Sequence, residues 1–137
     1  MLEANKHIAR QFVTAFAAGD TRTLERIVAQ HMIDHSLAPG QKQGRQGVLD
    51  AVQMFRVAFP DLKVTIESLV ADDERVSVTG KMSGTNQGTL MGMPATGRSV
   101  SFAYMDMYAI AHGQIVEVWH VEDLAGMMRQ LGVLPAS

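Results

Sequence analysis

The stretch RSVSFAYMDMYAIAHGQIVEVWHVE, from Arg98 to Glu122, decides the fold. It reads as two strands, Arg98 to Ile110 and Gln114 to Glu122, joined around His112 and Gly113. A three-residue hairpin loop, Ala111 to Gly113, with glycine in the left-handed position, fits that spacing. Ile110 then pairs with Gln114, which sets Tyr104 opposite His120 and Asp106 diagonally across on the same face. Tyr108, Val116, Val118 and Phe102 flank them and make that face largely apolar. The alternation of a strand has a period of two, so a loop one residue longer or shorter sends His120 to the opposite face from Asp106.

Upstream of the hairpin, Leu62, Val64 and Ile66 alternate with Lys63, Thr65 and Glu67, and Asp72-Asp73 supply turn chemistry. This predicts a strand pair, Leu62 to Val70 and Arg75 to Gly84. Between the pair and the hairpin, residues 85–97 hold four of the punctuating residues, Gly88, Gly92, Pro94 and Gly97. They read as a loop or short strand whose Leu90, Met91 and Met93 are placed to cover a pocket mouth.

The N-terminal part has helical spacing instead. Ile8, Phe12, Ala15 and Phe16 mark a first helix that Gly19 ends. Asp20 caps a second that carries Leu24, Ile27 and Val28 and runs to about Gln30. Val48, Ala51, Val52, Phe55 and Phe59 mark a third, which Pro60 stops. Three helices thus precede any strand, and a last helix carries Leu124, Met127, Met128 and Leu131 before Gly132 and Pro135 close it. Helices followed by antiparallel strands imply an α+β fold, with helices packed on one face of a curved sheet that leaves a cavity.

The 137 residues suit one domain, 1–137, and 47% hydrophobic with 19% charged residues is ordinary globular composition. A formal charge of −2 without a basic stripe argues against nucleic acid as a partner. The absence of cysteine removes disulfides, thiolate nucleophiles and sulfur-bound zinc. Glu3, Lys6, His7 and Arg10 interrupt the place of a secretory signal, and no apolar run reaches the roughly 20 residues of a membrane helix. A cytoplasmic location is expected, with no membrane partner. The sheet face left uncovered by helices points to a homodimer.

Four segments carry a family resemblance: AFPDL from Ala58 to Leu62, GTLMGMPATGR from Gly88 to Arg98, GQIVEVW from Gly113 to Trp119, and DLAGMMRQLG from Asp123 to Gly132. In their order and spacing the chain resembles the SnoaL-like polyketide cyclases of the nuclear-transport-factor-two-like superfamily. The resemblance implies a cone-shaped curved sheet, mixed or antiparallel, whose interior pocket binds a polyketide-like ligand. It implies intramolecular aldol chemistry by acid/base groups alone, with no metal and no organic cofactor. In that family a carboxylate on the last strand is the acid/base, and a histidine and a glutamine on the preceding strand place the substrate's oxygens. Here those positions hold His120, Asp106 and Tyr104, so the first two residue types are exchanged.

Read on their own chemistry, His120 is a candidate general base oriented by Asp106, and the Tyr104 hydroxyl is a candidate donor to an enolate. The competing reading is a buried polar pair that merely satisfies itself. Asp34 or His35 reaches the pocket entrance. Phe102, Tyr108, Val118 and Met91 complete the candidate binding wall. His31 and His35, four apart on a helix, are a weak metal pattern that lacks further ligands, and no metal is expected. Asp123 is assigned to capping the last helix, and Trp119 to the other sheet face. Beside the cyclase stand two alternatives, a non-catalytic small-molecule binder and an epoxide hydrolase or isomerase built on Asp106 and Tyr104. A third is an interaction module with its cone packed solid.

Overall fold

The computed structural model describes residues 2–134, so Pro135 lies outside the described residues. Along the chain run α1 (Leu2–Ala18), α2 (Thr21–Ile27), β1 (Val28–Asp34), α3 (Gly44–Ala58), β2 (Lys63–Ala71), β3 (Arg75–Thr85), β4 (Ser99–Ala111), β5 (Gln114–Glu122) and α4 (Leu124–Leu131). The strands form one sheet in the order β1-β5-β4-β3-β2. All its pairings are antiparallel except β1 with β5, which makes it mixed.

The caps expected from the sequence are in place. Asp20 accepts the backbone N–H of Thr23 at the start of α2, and Asp123 accepts that of Gly126 at the start of α4. Each satisfies a donor that the first helical turn leaves without a partner. Gly132 takes the left-handed conformation that ends α4.

The second helix stops earlier than its apolar spacing suggests. It ends at Ile27, and Val28 turns directly into a strand that the sequence reading takes for helix and connection. A strand therefore separates the second and third helices. Its alternation is hard to see because Val28, Met32 and Asp34 are the buried positions, one of them charged, and the register slips between Val28 and Ile33. His31 and His35 consequently do not share a helix face. His31 is an exposed strand residue and His35 follows the strand, so the spacing argument for a metal there fails.

One face of the sheet carries Val76, Val78, Met82, Phe102, Tyr104, Tyr108, Ile115 and Val118, which are buried against Phe12 and Val13 of α1 and Val48, Val52 and Phe55 of α3. A bulge between Ile66 and Ser68 bends β2. Beside it Gly80 has no room for a Cβ, because the Thr65 carbonyl and the Tyr104 ring occupy that space. The result is a curved sheet packed on the helices, with Phe12 and Phe16 of α1 and Phe55 of α3 among the side chains set against it.

Candidate active site

The β4–β5 hairpin places the charged residues. Its loop has two residues rather than three: Ala111 pairs with Gln114, and His112 and Gly113 both have positive φ, 54° and 76°. That is the geometry of a two-residue turn whose twist matches the strands. The shorter loop alone would reverse the parity of His120. A second irregularity follows, because the register shifts again between Ala109 and Ile110, where Val116 is the extra residue of β5. The two one-residue shifts add to two and parity is restored. His120 lies directly opposite Asp106, and Tyr104 faces Glu122 instead of His120.

His120 is held from both sides. Its Nδ1 lies 2.8 Å from Glu122 Oε1 and its Nε2 3.1 Å from Asp34 Oδ2. Asp34 is fixed in turn, since its Oδ1 accepts the Ser36 N–H at 2.7 Å and Gln43 bridges its backbone N–H and carbonyl. The His120 backbone N–H donates to Ser36 Oγ. A carboxylate on each ring nitrogen favours the doubly protonated imidazolium, and these hydrogen bonds, opposed by partial burial, raise its pKa to about 10. Burial pushes the Asp34 carboxyl up, but the bonds from His120 and Ser36 outweigh it and hold the carboxyl below the usual range.

Asp106 is in the opposite situation. The residue is half-buried, and desolvation of its carboxyl, with a smaller push from Glu122, raises its pKa to about 7 in spite of the hydrogen bond from Tyr108 and the charge of His120. The Tyr108 hydroxyl donates to Asp106 Oδ2 at 2.6 Å. Asp106 opens onto a cavity of about 50 Å³ together with Phe12, Val13, Phe16, Phe55, Val64, Met82, Tyr104 and Glu122. Apart from Tyr104 and the two acids, its wall is hydrocarbon and thioether.

This geometry changes the roles expected of the three central residues. His120 has no free lone pair with which to take a proton, since both ring nitrogens face carboxylates, so it is a fixed cation and not a base. Asp106 is the group poised near neutrality in the cavity. Tyr104 is ill placed to stabilise an enolate, because its hydroxyl donates to the Thr65 carbonyl at 2.8 Å and its burial raises its pKa further.

The other candidates scatter. Asp34 joins the cluster, behind His120. Tyr108 is fully buried and reaches the cluster through its hydroxyl, while Phe102 and Val118 are buried in the core and do not line the cavity. His35 lies on the outer side of the sheet, its ring stacked on Trp119 at 4.5 Å and its Nε2 3.1 Å from Glu117. Met91 is half-exposed at the tip of the loop between β3 and β4, with φ 47°, and takes no part in the cavity. Glu122 is a polar cavity residue outside the expected set; its parity with His120 along the strand is the signal that points to it. Phe12, Phe16 and Phe55 read in the sequence as core stripes, and nothing in periodicity separates a core aromatic from one on a cavity wall.

A mixed five-stranded sheet wrapped around helices, with acids at the end of an apolar cavity, defines an α+β cone. The family model for SnoaL-like polyketide cyclases matches residues 6–131, and the chain belongs to that family. Aklanonic acid methyl ester cyclase DauD of Streptomyces sp. (strain C5) is 29% identical over 133 residues, spanning 91% of this chain and 80% of that protein. Among solved structures, TsrD of Streptomyces laurentii matches with a TM-score of 0.87 at 27% identity, covering 96% of this chain and 97% of that one. Wild-type IdmH of Streptomyces antibioticus matches with a TM-score of 0.82 at 28% identity, covering 93% and 97%.

Proposed function

We propose that the chain is a cyclase that closes a ring in a polyketide-like ester by acid/base chemistry, with Asp106 carrying the proton in both directions. The observation that supports this is the Asp106 carboxyl on the wall of an apolar cavity, held by the Tyr108 hydroxyl and raised to about 7 by desolvation. A base with a pKa near the working pH is both ionised often enough and basic enough to act. Ionised Asp106 removes a proton from the carbon between two carbonyls. The resulting enolate carbon attacks a second carbonyl carbon of the same molecule, and the oxygen that gains the electron pair takes the proton back from Asp106. The product is an isomer of the substrate, so the scheme needs no cofactor. His120 supplies a positive charge on the adjacent strand that favours the ionised acid, and Asp34 and Glu122 keep that charge in place.

The hydrolase alternative loses support on this reading. The lining contains no arginine or asparagine to hold a water, and its one tyrosine hydroxyl is bonded to Thr65.

Aklanonic acid methyl ester, the compound in the relative's name, is the probe substrate. Conversion to a product of the same mass but different chromatographic retention is expected. Asp106→Asn should slow it by about 10²-fold or more, the usual weight of a positioned acid/base. Turnover by Asp106→Asn at the wild-type rate would refute the assignment. One observation favours the interaction-module reading, with the cone packed nearly solid: a cavity of about 50 Å³ is well below the roughly 300–1,000 Å³ of ordinary ligand sites. The cyclase reading therefore requires the Phe16, Phe55 and Met82 side chains to move apart when substrate enters.

A further inference from the structure

We propose that Tyr108 is a positioning residue for Asp106: its hydroxyl holds Oδ2, so that Oδ1 is the oxygen presented to the reacting carbon. The inference rests on the acid/base reading of Asp106. It starts from the burial of Tyr108, which has no exposed surface at all. Its ring packs on Phe12 with centroids 5.2 Å apart, and its place two residues from Asp106 on β4 puts both side chains on one face. A phenol so enclosed pays for burial unless its hydroxyl is bonded, and the partner it has is Asp106 Oδ2 at 2.6 Å. The ring cannot swing away without opening the core, so the bond fixes the carboxyl plane as well as one of its oxygens.

The surroundings show why this bond matters more than others. From β5 the charged groups facing Asp106 are Glu122 and His120, from β1 Asp34, and from β4 itself come Tyr104 and Tyr108. Glu122 and Asp34 oppose its ionisation, while His120 and the Tyr108 hydroxyl favour it. The cavity wall contributed by α1, α3, β2 and β3 is Phe12, Val13, Phe16, Phe55, Val64 and Met82, which offer no hydrogen bond donor. Removing the phenol hydroxyl thus takes away one of two groups that stabilise the base form and frees the carboxyl to rotate.

The test is a titration that does not need turnover. The Asp106 carboxyl carbon is followed by ¹³C NMR from pH 4 to 10 in the wild type, in Tyr108→Phe, and with 3-fluorotyrosine installed at position 108. Loss of the hydroxyl should move the midpoint up by about one unit, the scale of one hydrogen bond to a charged group. Fluorotyrosine, a stronger donor of nearly the same shape, should move it down and keeps the question answerable if Tyr108→Phe fails to fold. With aklanonic acid methyl ester, the acid limb of kcat/KM should follow the same displacement. Above both midpoints Tyr108→Phe should still show a kcat several-fold below wild type with KM little changed, because the carboxyl is no longer held. An unmoved midpoint in both variants overturns the proposal. A moved midpoint in a protein that never converts the ester leaves the positioning intact and instead removes the cyclase reading.

Discussion

At Asp106 the cost of function is measurable as stability. An acid whose pKa is about 3.8 unfolded and about 7 folded binds its proton more tightly in the native state, so stability is lost as pH rises between those values. Below pH 4 both states are protonated and the penalty is absent; above pH 7 it is complete. Asp106→Asn removes the charge, and it should be more stable than the wild type at pH 8, by something of the order of 1–4 kcal/mol, yet little different at pH 4. Urea unfolding at the two pH values checks this, and equal differences at both would refute the burial argument. His120 has the opposite chemistry but the same direction, since its stabilisation is full below 6.5 and is lost as pH rises toward about 10. Activity should accordingly rise through about pH 7 as Asp106 ionises and fall toward pH 10 as His120 loses its charge, a bell visible in kcat/KM. The residue pair is legible in the sequence but the roles are not. What makes His120 a cation is Asp34 together with Glu122, and Asp34 arrives on β1, the strand whose alternation a buried charge and a register slip conceal.

Among the elements, the β4–β5 hairpin shows what local pattern can and cannot fix. The two strands, the turn at His112-Gly113 and the common face of Asp106 and His120 all follow from spacing. The bulge at Val116 does not, because an extra apolar residue among Ile115, Val116 and Val118 leaves no mark of its own. The common face survives because two errors of one residue each, in loop length and in ladder register, have the same sign. The turn itself carries a removable strain: His112 sits at φ 54°, where a residue with a Cβ is disfavoured and asparagine fares better than most. His112→Asn should stabilise the protein by about 0.5–1 kcal/mol, or roughly 2–5 °C in Tm, while leaving the Asp106 and His120 titrations unchanged. Differential scanning calorimetry decides the first part. A lower Tm would mean that His112 makes a contribution the turn geometry does not reveal.

For the whole molecule, the two sheet faces have different fates. The inner face is closed by α1 and α3, as the helical stripes of the sequence imply. On the outer face Met105 and Val121 remain more than half exposed, Val70 is 69% exposed, and Trp119 lies between Arg75 and His35 without helical cover. A shallow groove of about 330 Å³ runs there along Ser77, Thr79, Met105, Met107, Trp119 and Val121. Apolar side chains gathered on one sheet face cost solubility unless something covers them, and a twofold partner presenting the same face is the simplest cover. We propose that the chain forms a homodimer through this face. Analytical ultracentrifugation should give twice the chain mass of 14.9 kDa at micromolar concentration. Val121→Lys, which sets a charge at the centre of the face, should give the single-chain mass with the far-UV circular dichroism unchanged. A wild type that sediments as a single chain up to 100-fold higher concentration would overturn the dimer.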